Sequence, residues 1–216
     1  MRADEINKAK QALVTGKPVL QASLYSYSPA IVETFGYAGI EVLFIDAEHT
    51  PVNWETLENL CRACECTGIT PQIRVDKQYP GYPSNIRKAM EIGAGIILVP
   101  HINNKAEAEA VVRAAKLGHQ YKYGDPPGDQ LSGWGGISRS KRFNVMGAAE
   151  WVELRDKNVL VAIQIEEERA LKKIDEISSV EGIDMITMGP ADYANNLGLP
   201  GQNIHPKVVD AAKKNF

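Results

Sequence analysis

Apolar positions along this chain follow two rhythms that alternate from one end to the other. Six short segments, at residues 19–24, 42–45, 70–74, 96–99, 159–165 and 185–188, are mostly apolar or β-branched and predict strands. Between them apolar residues recur at three- and four-residue spacing, which predicts helices with one buried face. Ser28 with Pro29 reads as an N-cap followed by proline at the first helical position. Asn53 caps a helix whose Leu57, Leu60, Cys61 and Cys64 share a face, with Gly68 beyond its end. Ser84 opens a further helix closed by Gly93. Asn104 opens another, with Ala108, Val111, Val112 and Ala115 inward and Gly118 beyond.

Alternating apolar strands and amphipathic helices predict an α/β fold, a parallel sheet covered by helices. No internal repeat or linker divides residues 1–216, so a single domain is expected. The one interruption is residues 119–147, rich in Gly, Pro, Ser and Arg, a length that in compact domains usually serves as a lid or an interface.

Composition narrows the function. A net charge of −3 and a pI near 5.9 give no electrostatic case for nucleic acid. No apolar run approaches the roughly 20 residues that span a bilayer, so no membrane partner is expected. The N-terminus carries acids early and lacks the apolar core of a secretory signal, which fits a cytoplasmic protein. The three cysteines, Cys61, Cys64 and Cys66, cannot pair completely, and no second ligand cluster matches them. They read as free thiols in a reducing compartment, not as a zinc site. No P-loop, dinucleotide fingerprint or GxSxG elbow is present.

In parallel α/β folds, binding residues gather at the carboxyl ends of the strands. Asp46, Glu48 and His49 follow the second run, Arg74 ends the third, Glu166 follows the fifth, and the sixth runs into Gly189-Pro190-Ala191-Asp192. Each alone also has a plain structural use: Asp46 and Asp192 as caps, His49 as a hydrogen-bonded loop residue, Glu166 as a first-turn acid. Their recurrence at one end of successive strands favours a common site. Glu91, near the end of the helix closed by Gly93, opposes the helix dipole, by about 0.3–1 kcal/mol if exposed. A nearby histidine or arginine would compensate, and chance placement accounts for it equally well.

The segments FIDAEHTPVNWETLENL, PQIRV, EIGAGIILVPHINNKAEAEAVVRAAK, VAIQIEEERAL and VEGIDMITMGPADYANNLG, in that order, resemble the HpcH/HpaI aldolase family. These are metal-dependent class II pyruvate aldolases, relatives of 2,4-dihydroxyhept-2-ene-1,7-dioate aldolase and 2-dehydro-3-deoxyglucarate aldolase. The resemblance runs from about Val19 onward and rests on the ordered motifs D-x-E-H, Q-x-E and G-P-x-D. It implies a TIM (β/α)8 barrel of the phosphoenolpyruvate/pyruvate type. Glu166 and Asp192 then match the metal carboxylates, His49 the catalytic base, Asp46 its dyad partner and Arg74 the arginine that steadies the enolate. The backbone of Gly189, Pro190, Ala191 and Asp192 matches the segment receiving the pyruvate carboxylate, with Gln164 lining that pocket. Glu91 falls where relatives carry an aspartate near the histidine, and Glu48 is placed beside the metal waters. The stretch 125–133 lacks an arginine that many relatives carry there.

Two carboxylates with waters make a hard oxygen site suited to Mg²⁺ or Mn²⁺, with Co²⁺ a further candidate. The expected reaction joins or splits pyruvate, as its enolate, and an aldehyde, with His49 moving the hydroxyl proton, a task that suits imidazole near neutral pH. A lyase of the citrate-lyase β-subunit or malyl-coenzyme A type, or a non-catalytic oligomeric remnant, stays open as an alternative. Residues 25–28, 79–83 and 119–147 are the expected specificity segments, and Arg139 and Arg142 are read as contacts to an acidic aldehyde or as a solvated or interface cluster. Barrels of this kind take about 250 residues, with 200 the low extreme. The chain is therefore expected to lack the last two βα units and not to close alone. The resemblance also implies a homo-oligomer, a hexamer or a trimer of dimers.

Overall fold

The structure, a computed structural model, describes residues 7–77, 81–116 and 137–216. In chain order these form α1 (Lys8–Val14), β1 (Gln21–Leu24), α2 (Pro29–Tyr37), β2 (Val42–Asp46), α3 (Trp54–Thr67), β3 (Thr70–Arg74), α4 (Tyr82–Ile92), β4 (Ile96–Val99) and α5 (Lys105–Ala115). A 3-10 turn at Arg139–Lys141 precedes α6 (Ala148–Asn158), β5 (Leu160–Ile165), α7 (Glu168–Leu171), α8 (Ile174–Ser178), β6 (Met185–Met188), α9 (Pro190–Asn196) and α10 (Pro206–Asn215). Each strand lies parallel to its sequence neighbour, in the order β1-β2-β3-β4-β5-β6. Among the described residues the sheet is an open six-stranded half-barrel. The eight-stranded closure implied by the resemblance is not formed by them.

Side chains alternate along every strand with a period of two. Leu43, Ile45, Ile73, Ile97, Val99, Val161, Ile163 and Ile165 face outward and pack with α3, α4 and α5 into the main core. Val42, Ile96, Leu98, Leu160 and Ala162 face the hollow and form a smaller cluster with Ala9 of α1. Above that floor polar side chains join the lining. Gln21, Ser23, Phe44, Gln72, Arg74 and Gln164 are among the walls of a cavity of about 290 Å³. The strands thus carry an apolar outer face, and all but β4, whose inner residues are Ile96 and Leu98, place a polar inner residue toward the carboxyl end.

The helix ends follow from capping chemistry. Asn53 and Asn104 accept hydrogen bonds from the N–H groups of Thr56 and Glu107, and Gly68 and Gly93 close α3 and α4 in the left-handed region. Helix α4 starts at Tyr82, not Ser84. Pro83 is accepted in a first turn, where no N–H is needed, so the helix extends back to Gly81. Helix α6 escaped the pattern reading because its buried residues are Trp151 and Arg155, one of them charged. The Arg155 guanidinium stacks on the Trp151 ring at 4.9 Å and donates to the carbonyl of Ala115 at 2.6 Å.

Of the long interruption, residues 119–136 lie outside the described residues, as do Gly118 and residues 79 and 80. In its described part, Arg139 donates to Glu65 and to the carbonyl of Ile92 at 3.0 Å. Arg139 thus ties this segment to α3 and α4 within the chain, which replaces the expectation of a contact to an aldehyde or a solvated or interface cluster.

Candidate active site and metal centre

Strand register brings the first pair together. Asp46 and Arg74 are Cα partners at the ends of β2 and β3, both facing the hollow. Arg74 donates from Nε to Asp46 Oδ1 at 3.0 Å and from Nη2 to Oδ2 at 2.6 Å, a two-point clasp. The backbone N–H groups of Glu48 and His49 also donate to Asp46 Oδ1, at 3.0 and 3.3 Å. Burial alone would push the Asp46 carboxyl up, yet the Arg74 hydrogen bonds and charge, with these N–H groups, hold it below its ordinary value. Burial likewise works against the Arg74 cation, and Asp46 more than restores it.

Asp46 is therefore spent on Arg74. The dyad expected from the resemblance, Asp46 with the His49 imidazole, is not what the structure forms. Asp46 meets His49 only through its backbone, because the turn after β2 folds that N–H onto the carboxylate. The imidazole projects from the rim, its side chain 57% exposed, and its Nε2 lies 3.6 Å from Glu48 Oε2.

Glu48 is nearly buried. Its Oε2 has no hydrogen-bond partner and stands 3.3 Å from Arg74 Nε, while Oε1 is 3.6 Å from Nε2 of His101. Burial raises its carboxyl, against the pull of Arg74 and the two histidines.

The second half of the site comes from β4, β5 and β6. Glu166 follows β5 and is 1% exposed. Gln164 Nε2 donates to its Oε1 at 2.8 Å, and the His101 N–H donates to its Oε2 at 2.9 Å. Burial, with the charge of Asp192 adding to it, pushes the Glu166 carboxyl up to about 7 against those hydrogen bonds. The turn after β6 must pass close to this carboxylate. A side chain at Gly189 would collide with Glu166 and Gln164, so only glycine lets the backbone by. One ligand atom each from His101, Glu166 and Asp192 lie within 4.8 Å of one another, a group that could hold a metal ion.

The candidates legible from sequence end strands two, three, five and six, and none ends the fourth. His101 was the missed residue. Val99-Pro100-His101 obeys the same strand-end rule and lay within a quoted motif.

Glu91 does not join this group. It sits at the far end of α4, one turn before β4 begins, and so at the opposite end of the sheet from His49. Its charge acts on Arg155 of α6. A compensating arginine is therefore present, away from the rim.

Comparisons with known proteins agree with this architecture. The family profile described as HpcH/HpaI aldolase/citrate lyase matches residues 23–216. The chain belongs to that family. It is 30% identical over 211 residues to a 5-keto-4-deoxy-D-glucarate aldolase of Shigella boydii, covering 97% of this chain and 76% of the relative. It is 29% identical over 212 residues to a hydroxypyruvate/pyruvate aldolase of Sagittula stellata, covering 97% and 78%. A solved HpcH/HpaI aldolase/citrate lyase family protein from Burkholderia cenocepacia superposes with a TM-score of 0.82 at 27% identity, over 96% of this chain and 78% of that one. The chain is thus a lyase of aldolase type. No helix among the described residues is long and apolar enough to cross a membrane.

Proposed function

We propose that this protein is a divalent-metal-dependent aldolase that joins or splits the bond between the enolate carbon of pyruvate, or a close 2-oxo acid, and the carbonyl carbon of an aldehyde. The observation that carries this reading is the pair Glu166 and Asp192: a carboxyl pushed up to about 7 by burial and a second carboxylate beside it, a cluster whose charge a cation complements. These residues fit Mg²⁺ or Mn²⁺, with Co²⁺ a further candidate. When bound, the ion would polarise the 2-oxo acid and stabilise negative charge at its keto oxygen.

The remaining work falls to the chain itself. Arg74, clasped edge-on by Asp46, keeps a fixed positive charge at the mouth of the cavity, where it steadies the same developing charge. Asp46 acts through Arg74. In cleavage His49 takes the proton from the C4 hydroxyl as the C3–C4 bond breaks, and in synthesis it returns that proton. Glu48, not Asp46, is the carboxylate near its ring. Gln164 and the backbone of Gly189, Pro190, Ala191 and Asp192 border the place of the substrate carboxylate. The compounds named for the relatives are polar, oxygen-rich acids, which supports a polar aldehyde as the reaction partner. A cytoplasmic homo-oligomer, a hexamer or a trimer of dimers, completes the reading, and the open edges of β1 and β6 support contact with a further segment or chain.

The test is exchange of pyruvate methyl protons in heavy water, followed by NMR, then aldol addition to a panel of aldehydes. Exchange and addition should both require Mg²⁺ or Mn²⁺ and stop on chelation. Full activity after exhaustive chelation would remove the metal from the mechanism, and no exchange with any ion would remove the aldolase reading.

A further inference from the structure

His101 has no part in the mechanism so far, yet its backbone is the least ordinary near the site. Its φ is 55°, in the left-handed region that a side chain with a Cβ rarely adopts. On β4, Ile96 and Leu98 face the hollow and Ile97 and Val99 face the helices, so residue 101 would by alternation continue on the helix side. The positive φ is where that alternation breaks. The strained peptide is held on both sides: its N–H donates to Glu166 Oε2, and its carbonyl accepts from Lys77 Nζ and from Asn103 Nδ2 at 3.1 Å. Strain held in this way marks a side chain that the fold needs in one place.

That place is against the carboxylates. Nδ1 of His101 lies 3.1 Å from Glu166 Oε2. Two donors about 2.1 Å from an octahedral ion are about 3 Å apart when adjacent. The ring's other nitrogen, Nε2, points to Glu48 Oε1 at 3.6 Å. Glu48 is held by the same turn that carries Asp46, and its second oxygen is buried with no hydrogen-bond partner. An imidazole between a ligand carboxylate and an outer carboxylate is the arrangement that fixes the tautomer of a metal-binding histidine.

We propose that His101 is a third protein donor to the ion, through Nδ1, with Glu48 accepting from Nε2–H, and that this nitrogen directs the site toward a transition-metal ion over Mg²⁺. The inference rests on the Glu166 and Asp192 site proposed above and goes beyond it in the donor set and the choice of ion. Imidazole favours later divalent metals far more than it favours Mg²⁺, whereas carboxylates and water do not discriminate in this way.

The experiment uses the purified full chain, stripped of metal and reloaded with Mn²⁺, and reads nitrogen modulation in pulsed electron paramagnetic resonance. Histidine nitrogen coupling is expected in the wild type, retained in His49→Gln and lost in His101→Gln. In competition titrations His101→Gln should weaken Co²⁺ by more than the roughly tenfold that loss of an outer partner costs, and weaken Mg²⁺ less. Glu48→Gln should weaken Co²⁺ by about 10- to 100-fold while keeping the nitrogen signal. Mn²⁺ bound without nitrogen coupling, or coupling that survives in His101→Gln, overturns the proposal and leaves the carboxylate site standing. No Mn²⁺ binding by the wild type overturns both.

Discussion

Glu166 carries a strong pH signature. Its carboxyl stands at about 7 in the folded chain, above an ordinary 4.5, because burial and Asp192 both disfavour its charge. The folded state therefore holds a proton that the unfolded state releases between those values, and stability falls as pH rises through that window. In chelated protein the loss is bounded at about 3 kcal/mol. Glu166→Gln should flatten the fall, and urea midpoints at about pH 5 and about pH 8 for both proteins check it. An unchanged slope in the variant would mean that Glu166 ionises freely. His49 gives the opposite kind of prediction. Its exposed ring supports little packing, so His49→Ala should change stability by no more than about 0.5 kcal/mol. Carbon–carbon cleavage should fall by about 10²- to 10⁴-fold with ion affinity kept. Loss of the ion in that variant would make His49 a ligand instead. At this scale the sequence was legible wherever a charged residue ended a strand: Asp46, Arg74, Glu166 and Asp192 reach one rim because the sheet puts them there. Pairings were less legible. Whether Asp46 meets His49 or Arg74 depends on register and on the turn after β2, and Glu91 sits at the wrong end of its helix for the rim.

Elements decide how close these residues come. The ladder between β5 and β6 continues one residue past β6, with the Gly189 N–H donating to the carbonyl of Ile165 at 3.0 Å. That bond presses the start of α9 against Glu166 and brings Asp192 to the site. Gly189 has φ −90°, a conformation open to any residue, so its requirement is purely spatial. Gly189→Ala places a methyl group into the Glu166 carboxylate and the Gln164 amide. The expected outcome is a loss of about 1–3 kcal/mol in stability together with weakened ion binding, read by thermal melts and a metal titration on the same sample. Normal ion affinity in Gly189→Ala would show that α9 can retreat without moving Asp192. The strands, and the caps at Asn53, Asn104, Gly68 and Gly93, could be read from sequence because each follows a local rule. Helix α6 could not: burying Arg155 depends on the Trp151 ring and the Ala115 carbonyl, partners supplied by tertiary packing.

Across the whole molecule the half-barrel has two ends with different duties, and α1 defines the second. Asn7, buried just ahead of α1, donates from Nδ2 to the carbonyls of Gly95 at 2.9 Å and Asn158 at 3.0 Å, and its Oδ1 accepts from Thr70 at 3.3 Å. One side chain thereby joins the segments entering β3, β4 and β5. Lys10 adds a bond from Nζ to the carbonyl of Lys157 at 2.7 Å, and Ala9 fills the apolar floor of the hollow. Every contact in this plug lies at the amino ends of the strands, while Arg74, His101 and Glu166 lie at the carboxyl ends. In barrels of this type chemistry sits at the carboxyl face and the amino face serves stability. Asn7→Ala would remove the bonds to the Asn158 carbonyl, the Thr70 hydroxyl and the Lys10 N–H, at about 1–3 kcal/mol for each buried group left unmade, while the Gly95 carbonyl keeps the Leu160 N–H. For a chain of this size each 1 kcal/mol moves the melting temperature by about 2–4 °C. The melting temperature of Asn7→Ala should therefore drop by several degrees, while KM for the 2-oxo acid and ion affinity stay at wild-type values well below the melt. His49→Ala should show the mirror image, an unchanged melt with lost cleavage. If Asn7→Ala instead changed ion affinity at temperatures where it is fully folded, the two ends would be coupled through the strands, and the division of labour read from the fold would be wrong.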